Sequence, residues 1–162
     1  MEFAHDNHQA TFERVREYLG ELFDRPYHDE ATGHFYVRYG STVLEISVEP
    51  YGPEEVIVVI MAYCVQGADV DESLLRGLLE LNHQLPIGAF SVVGGNDVFF
   101  SYALFGHNLD AKRLLGGIAA VADVSDEYDD RIVARYGGQR ALDRIRDTGG
   151  RRRRQERAGP PD

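Results

Sequence analysis

The sequence predicts an α+β domain: one twisted antiparallel sheet with helices mainly on one face, in the order helix, three strands, helix, two strands, helix. Three observations carry that expectation. Five short apolar stretches bounded by glycine and proline have strand spacing. Three longer stretches repeat their apolar residues at helical spacing. Between them, Glu55 to Gln66 is apolar in both of its alternating rows. Val56, Val58, Ile60, Ala62 and Cys64 point one way, and Ile57, Val59, Met61, Tyr63 and Val65 the other. A strand of that kind needs cover on both faces. The chain's own helices supply one cover, and the other must be more of the chain, a second copy or a bound partner.

Taken in order, Thr11 to Asp24 places Phe12, Val15, Leu19, Leu22 and Phe23 on one helical face, and Pro26 ends the helix. The preceding segment, polar from Met1 to Gln9, is read as frayed, and His28-Asp29-Glu30 as a solvated turn. Strands follow at His34 to Tyr39 and Thr42 to Glu49, joined by the tight turn Gly40-Ser41. Pro50 to Pro53 turns the chain into Glu55 to Gln66, completing a meander. Asp69 or Asp71 caps a leucine-rich helix with Leu74, Leu75, Leu78, Leu79, Leu81 and Leu85 on a wide apolar face, stopped by Pro86 and Gly88. Ala89 to Val93 and Val98 to Phe105 form a hairpin around Gly94-Gly95-Asn96-Asp97. Asn108 is expected to cap a last long helix reaching Tyr136, before Gly137-Gly138. Gln139 to Asp147 is read as a further helical turn or two. Residues 1–147 are thus one domain, and 148–162 a disordered arginine-rich tail.

Charge and cysteine content narrow the function classes. The chain carries −10 overall. From Gly149 onward, five arginines against Glu156 and Asp162 give that stretch +3 and leave −13 on the rest. An acidic body repels phosphates, which argues against nucleic-acid binding. No apolar run approaches the roughly 20 residues of a membrane helix, and no signal peptide is visible, so a cytoplasmic location and no membrane partner are expected. Cys64 is the single cysteine, which rules out a disulfide within the chain. Sixteen arginines against the lone Lys112 suggest a GC-rich genome.

No residue is assigned a catalytic, cofactor or metal role. His5-x-x-His8 beside Asp6 has a metal-ligand flavour, but two histidines on a frayed terminus close no coordination shell. His83 is read as a helix-end histidine rather than a general base. Gly94-Gly95 and Gly116-Gly117 lack the strand-to-helix setting of a phosphate loop. The acidic run Asp123, Asp126, Glu127, Asp129 and Asp130 lacks calcium-loop spacing and reads as a solvated helix face. The aromatics say more. Tyr36, Tyr39, Tyr63, Phe99, Phe100, Tyr102 and Phe105 all fall on strands, and adjacent Phe99 and Phe100 must point oppositely. Singly each is ordinary packing; together they exceed what one buried face needs. Uncovered sheet aromatics belong to protein interfaces.

Three segments, LLRGLLELNHQLPIGAFSVV from Leu74, DVFFSYALFGHNLD from Asp97 and ADVSDEYDDRIVARYGG from Ala122, add a family likeness. Leu-x-x-x-Asn ends a leucine helix at Asn82, Gly88 and Phe90 open a strand, an aromatic second hairpin strand follows, and Ala122-Asp123 precedes Tyr136-Gly137-Gly138. Over about residues 8–138 this resembles the YbjN-like family, whose fold is similar to that of class I type III secretion chaperones. The resemblance implies a bacterial, non-enzymatic chaperone-like or regulatory module, a homodimer without cofactor, holding a protein or peptide client. The Arg151 to Arg154 tail departs from the family's usual ending. Tyr63, Phe99 and Tyr102 are the expected client-binding residues. The competing readings are a small enzyme with a histidine-carboxylate cleft, and a structural adaptor for a folded partner.

Overall fold

A computed structural model describes residues 2–140. The secondary structure runs α1 (Asp6–Leu22), β1 (Tyr27–Asp29), β2 (His34–Tyr39), β3 (Thr42–Tyr51), β4 (Glu55–Gln66), α2 (Glu72–Gln84), β5 (Ala89–Val93), β6 (Asp97–Phe105), α3 (Ala111–Tyr136) and β7 (Gln139–Arg140), with a short 3-10 turn at Gly106–Asn108. The strands form one sheet in the order β1-β2-β3-β4-β6-β5, and β7 pairs with the end of β4. All strand pairings among the described residues are antiparallel. The predicted α+β architecture with three helices on one antiparallel sheet is the one observed.

The 12-residue β4 lies at the centre, flanked by β3 and β6. Its row Val56, Val58, Ile60, Ala62 and Cys64 is buried, together with Leu44, Ile46 and Val48 of β3 and Val98 and Phe100 of β6. Helices α1 and α3 cover this face and touch each other. At Gly117 the cover is close: a Cβ there would stand 2.8 Å from Ile60 Cδ1 and 3.1 Å from Leu104 Cδ1. Burying this row, at roughly 1.5–3 kcal/mol per large aliphatic side chain, is the main force holding α3 on the sheet.

Several local expectations are corrected. Helix α1 begins at Asp6 rather than Thr11, because His5 caps it: its Nδ1 accepts from the His8 amide at 3.2 Å. His8 itself is buried, donating from Nε2 to the Val48 carbonyl at 2.9 Å while Nδ1 accepts from the Ala4 amide at 3.2 Å. The segment read as frayed is therefore anchored to β3. His28 and Asp29 lie in β1, not in a solvated turn, and the His28 ring stacks on Phe35 at 4.7 Å. Helix α3 is capped by Asp110, whose carboxylate accepts from the Arg113 amide at 2.7 Å, and not by Asn108. Gln139 and Arg140 pair as a strand with Gln66 and Val65 instead of adding a helical turn. Glycines at 137 and 138 permit that reversal with φ of 68° and 86°. The rest of that expected turn, the boundary at 147 and the tail 148–162 lie outside the described residues.

The leucine helix also differs from its reading. Only Leu74 and Leu78 of α2 are buried, whereas Leu75 is 44% and Leu79 68% exposed. Helix α2 packs beside β5 at the margin of the sheet, so a wide apolar face meets a narrow support.

Candidate functional site

On the side of the sheet away from the helices, register brings the second row of β4 beside alternate residues of β6. Ile57 faces Phe105, Val59 faces Ala103, Met61 faces Ser101 and Tyr63 faces Phe99. Across β3 the same positions meet Glu49, Ser47 and Glu45. The result is an aliphatic and aromatic band along β4 and β6, flanked by carboxylates on β3. Phe105 is 50% exposed and touches exposed Tyr51 edge-on, with centroids 6.2 Å apart. No helix among the described residues crosses this band.

Tyr63 and Phe99, two of the three expected binding residues, stand together at one end of it. Their rings are 4.2 Å apart. The Tyr63 hydroxyl donates to Asp97, whose other carboxylate oxygen accepts from the Gly67 amide at 3.0 Å. Held at both ring and hydroxyl, Tyr63 loses little rotamer freedom when a partner covers it. At the opposite margin the Tyr36 hydroxyl donates to Glu45 at 2.9 Å, and Tyr27 packs near Tyr36. Burial first, and then the Glu45 carboxylate, push the Tyr36 hydroxyl up to about 12, so it remains a donor at any working pH.

Tyr102, the third expected residue, is elsewhere. It pairs with Ile60 on the helix-covered face, and a Cβ at Gly117 of α3 would lie 3.7 Å from its ring. The reason is alternation: Tyr63 and Phe99 are register partners, and Tyr102, three residues after Phe99, takes the opposite side. Val65 leaves the open row too, because a register shift between Tyr63 and Val65 turns it fully into the core. Sequence reasoning listed Ile57, Val59 and Met61 as one row, but did not put them in the site. Their strict alternation was the available signal.

The histidines have mostly separate local roles. His5 and His8 serve the start of α1, His28 stacks in the core, His34 meets Glu45 at 3.0 Å, His107 meets Glu55 at 3.2 Å, and His83 is exposed at the end of α2. A cavity of about 560 Å³ has His8, His34, Glu2 and Glu49 in its wall. Both ring nitrogens of His8 are already engaged by backbone groups there. Among the described residues no three histidine, cysteine or acidic side chains are grouped to hold a metal. Burial pushes the Cys64 thiol up to about 12, leaving it unreactive beside Ser125 at 3.3 Å. No helix of the described chain is long and apolar enough to cross a membrane.

Residues 9–144 match the profile of TY-Chap1, described as T3SS (YopN, CesT) and YbjN peptide-binding chaperone 1. The chain belongs to this family. As a TY-Chap1 member it is a chaperone-like, peptide-binding module. The earlier likeness to the YbjN-like and secretion-chaperone group is thereby supported. Among solved structures, the ExsC-ExsE complex shares the fold with a TM-score of 0.61 at 14% identity, over 79% of this chain and 97% of the matched one. The Yersinia pestis type III secretion chaperone SycH, in complex with a stable fragment of YscM2, gives 0.51 at 16% identity, over 72% and 98%. No curated protein matches the chain in sequence.

Proposed function

We propose that this TY-Chap1 member holds an extended client segment on the open face of its sheet, with Tyr63 and Phe99 as anchors and Ile57, Val59, Met61 and Phe105 as the floor. The observation that carries the reading is the band itself: apolar and aromatic side chains in register on two adjacent central strands, with no helix among the described residues over them. An extended peptide presents alternate side chains at about the spacing of that row. Glu45 and Glu49 along one flank favour a client with lysine or arginine beside its apolar residues. Tyr102 is left out of the binding set because it faces α3. The module is non-enzymatic and works in the bacterial cytoplasm, where the free, buried Cys64 meets no oxidising pressure.

The test is a methyl NMR titration with synthetic extended peptides that alternate apolar and basic residues. Ile57, Val59 and Met61 should shift while Ile60 and Val58 stay in place. Shifts confined to the His8 and His34 cavity would instead support the enzyme reading.

The same proposal makes the protein a homodimer. With the sheet face assigned to the client, the exposed Leu75 and Leu79 of α2, about one helical turn apart, are the apolar pair offered to a second copy across a two-fold axis. Light scattering at micromolar concentration is expected to give twice the chain mass, and Leu79→Glu to halve it. A wild-type monomer would remove the dimer from this account without touching the client site.

A further inference from the structure

An open sheet has two edges. At one, β1 is three residues long, too short to template another strand. At the other, β5 is five residues, AFSVV, of which Phe90, Val92 and Val93 are strong strand formers, with Val93 54% exposed. Such an edge invites a copy of itself.

It is not left open. Asn82, in the last turn of α2, reaches β5 with its whole carboxamide: Oδ1 accepts from the Phe90 amide at 2.7 Å, and Nδ2 donates to the Phe90 carbonyl at 3.1 Å. Only one orientation of the amide satisfies both bonds. Because both backbone groups of Phe90 are engaged by Asn82, they point away from β6, and Phe90 and Phe100 are a non-hydrogen-bonded pair of the ladder. Alternation then makes Val92 the next residue with outward amide and carbonyl, and these have no partner among the described residues. One side-chain amide thus stands where the peptide group of a neighbouring strand would stand. It leaves a single residue free to pair, too little to seat another strand.

We infer that β5 is a latent strand-pairing edge whose occupant would be the β5 of a second copy, and that Asn82 closes it. The chemistry demands an asparagine at this reach. Aspartate has no donor for the Phe90 carbonyl, and leucine offers neither bond. Keeping the edge shut confines contacts between copies to side-chain surfaces and prevents open-ended sheet growth. This goes beyond the client site and does not depend on it.

Two measurements test the inference. In the wild-type protein, amide hydrogen exchange should be slower at Phe90 than at Val92, on the order of tenfold or more. Equal rates would mean that Asn82 does not hold the edge. In sedimentation well below its melting temperature, with folding verified by circular dichroism, Asn82→Ala should form species larger than the wild-type assembly. Adding Val92→Pro, which removes the free outward donor while sparing the ladder to β6, should return the wild-type size. An Asn82→Ala protein of wild-type size, or large species that persist in the double variant, would overturn the proposal.

Discussion

The two faces of β4 are both apolar and opposite in fate. Val56, Val58, Ile60 and Ala62 are buried under α1 and α3, while Ile57, Val59, Met61 and Tyr63 stand half-buried by one another and by β6. Adjacent Phe100 and Phe99 repeat the contrast on β6, the first fully buried and the second on the open band. Hydrophobicity therefore does not separate the covered face from the open one in this protein. What separates them is whether the chain's own helices arrive. A covered row contributes to folding; an uncovered row retains its driving force for association.

That contrast breaks most visibly at the phenylalanine pair. Phe100→Ala should cost about 3–5 kcal/mol of stability, the usual penalty for deleting a buried ring, read as a large drop in denaturant midpoint. Phe99→Ser should leave that midpoint within about 1 kcal/mol of wild type, yet weaken binding of the titrated peptides by about 1–3 kcal/mol. If both variants unfold alike, the open band is part of the core and the contrast fails.

The covering helix supplies a finer test. Burial, aided by neighbouring Asp130 and Asp126, pushes Asp129 of α3 up to about 6, against the offsetting bond from the Asp130 amide and the charge of Arg140. The folded state thus holds this proton more tightly than the unfolded chain, whose carboxyl titrates near about 4. Stability should fall as pH rises from about 4 to about 6. Asp129→Asn should flatten that slope and raise stability at neutral pH, by no more than about 1 kcal/mol because the group is partly solvated. A thermal-melt series across this window in both proteins measures it.

Smaller still is the effect expected at Cys64. Aromatic disulfide reagents should modify it only as fast as the protein unfolds, because burial keeps it a thiol. Prompt labelling of the native protein would show that the covered face opens. Removing residues 148–162 should change the melting temperature least of all, since that stretch has no large apolar side chain to bury.

Much of the plan was legible locally. The turns at Gly40-Ser41 and Gly94 to Asp97, the strand β4 and the long helices α2 and α3 announce themselves through glycine, proline and spacing within a few residues. The start of α1 was not: its cap is a histidine rather than one of the usual capping residues, and His8, which anchors that end, finds its carbonyl forty residues away on Val48. The strand β1 is three residues long, and pairing with β2 supplies its definition. Tyr63 and Phe99 could be named as surface candidates from the surplus of strand aromatics. Tyr102 could not be excluded, since no local signal tells which side of a two-faced strand its helices will cover.

By itself the sequence determined the alternation along most of the five longer strands, the order of those strands and the three helices, and the excess of apolar surface over what three helices can bury. Those follow from side-chain period and turn chemistry, which act over a few residues. Only the tertiary structure decided which row became core, that Val65 turns inward at a bulge, that Leu79 stays outside, and that Asn82 meets the edge of β5. Each of these depends on where a distant element docks. With both rows almost equally apolar, burying either would release similar free energy, so packing geometry made the choice.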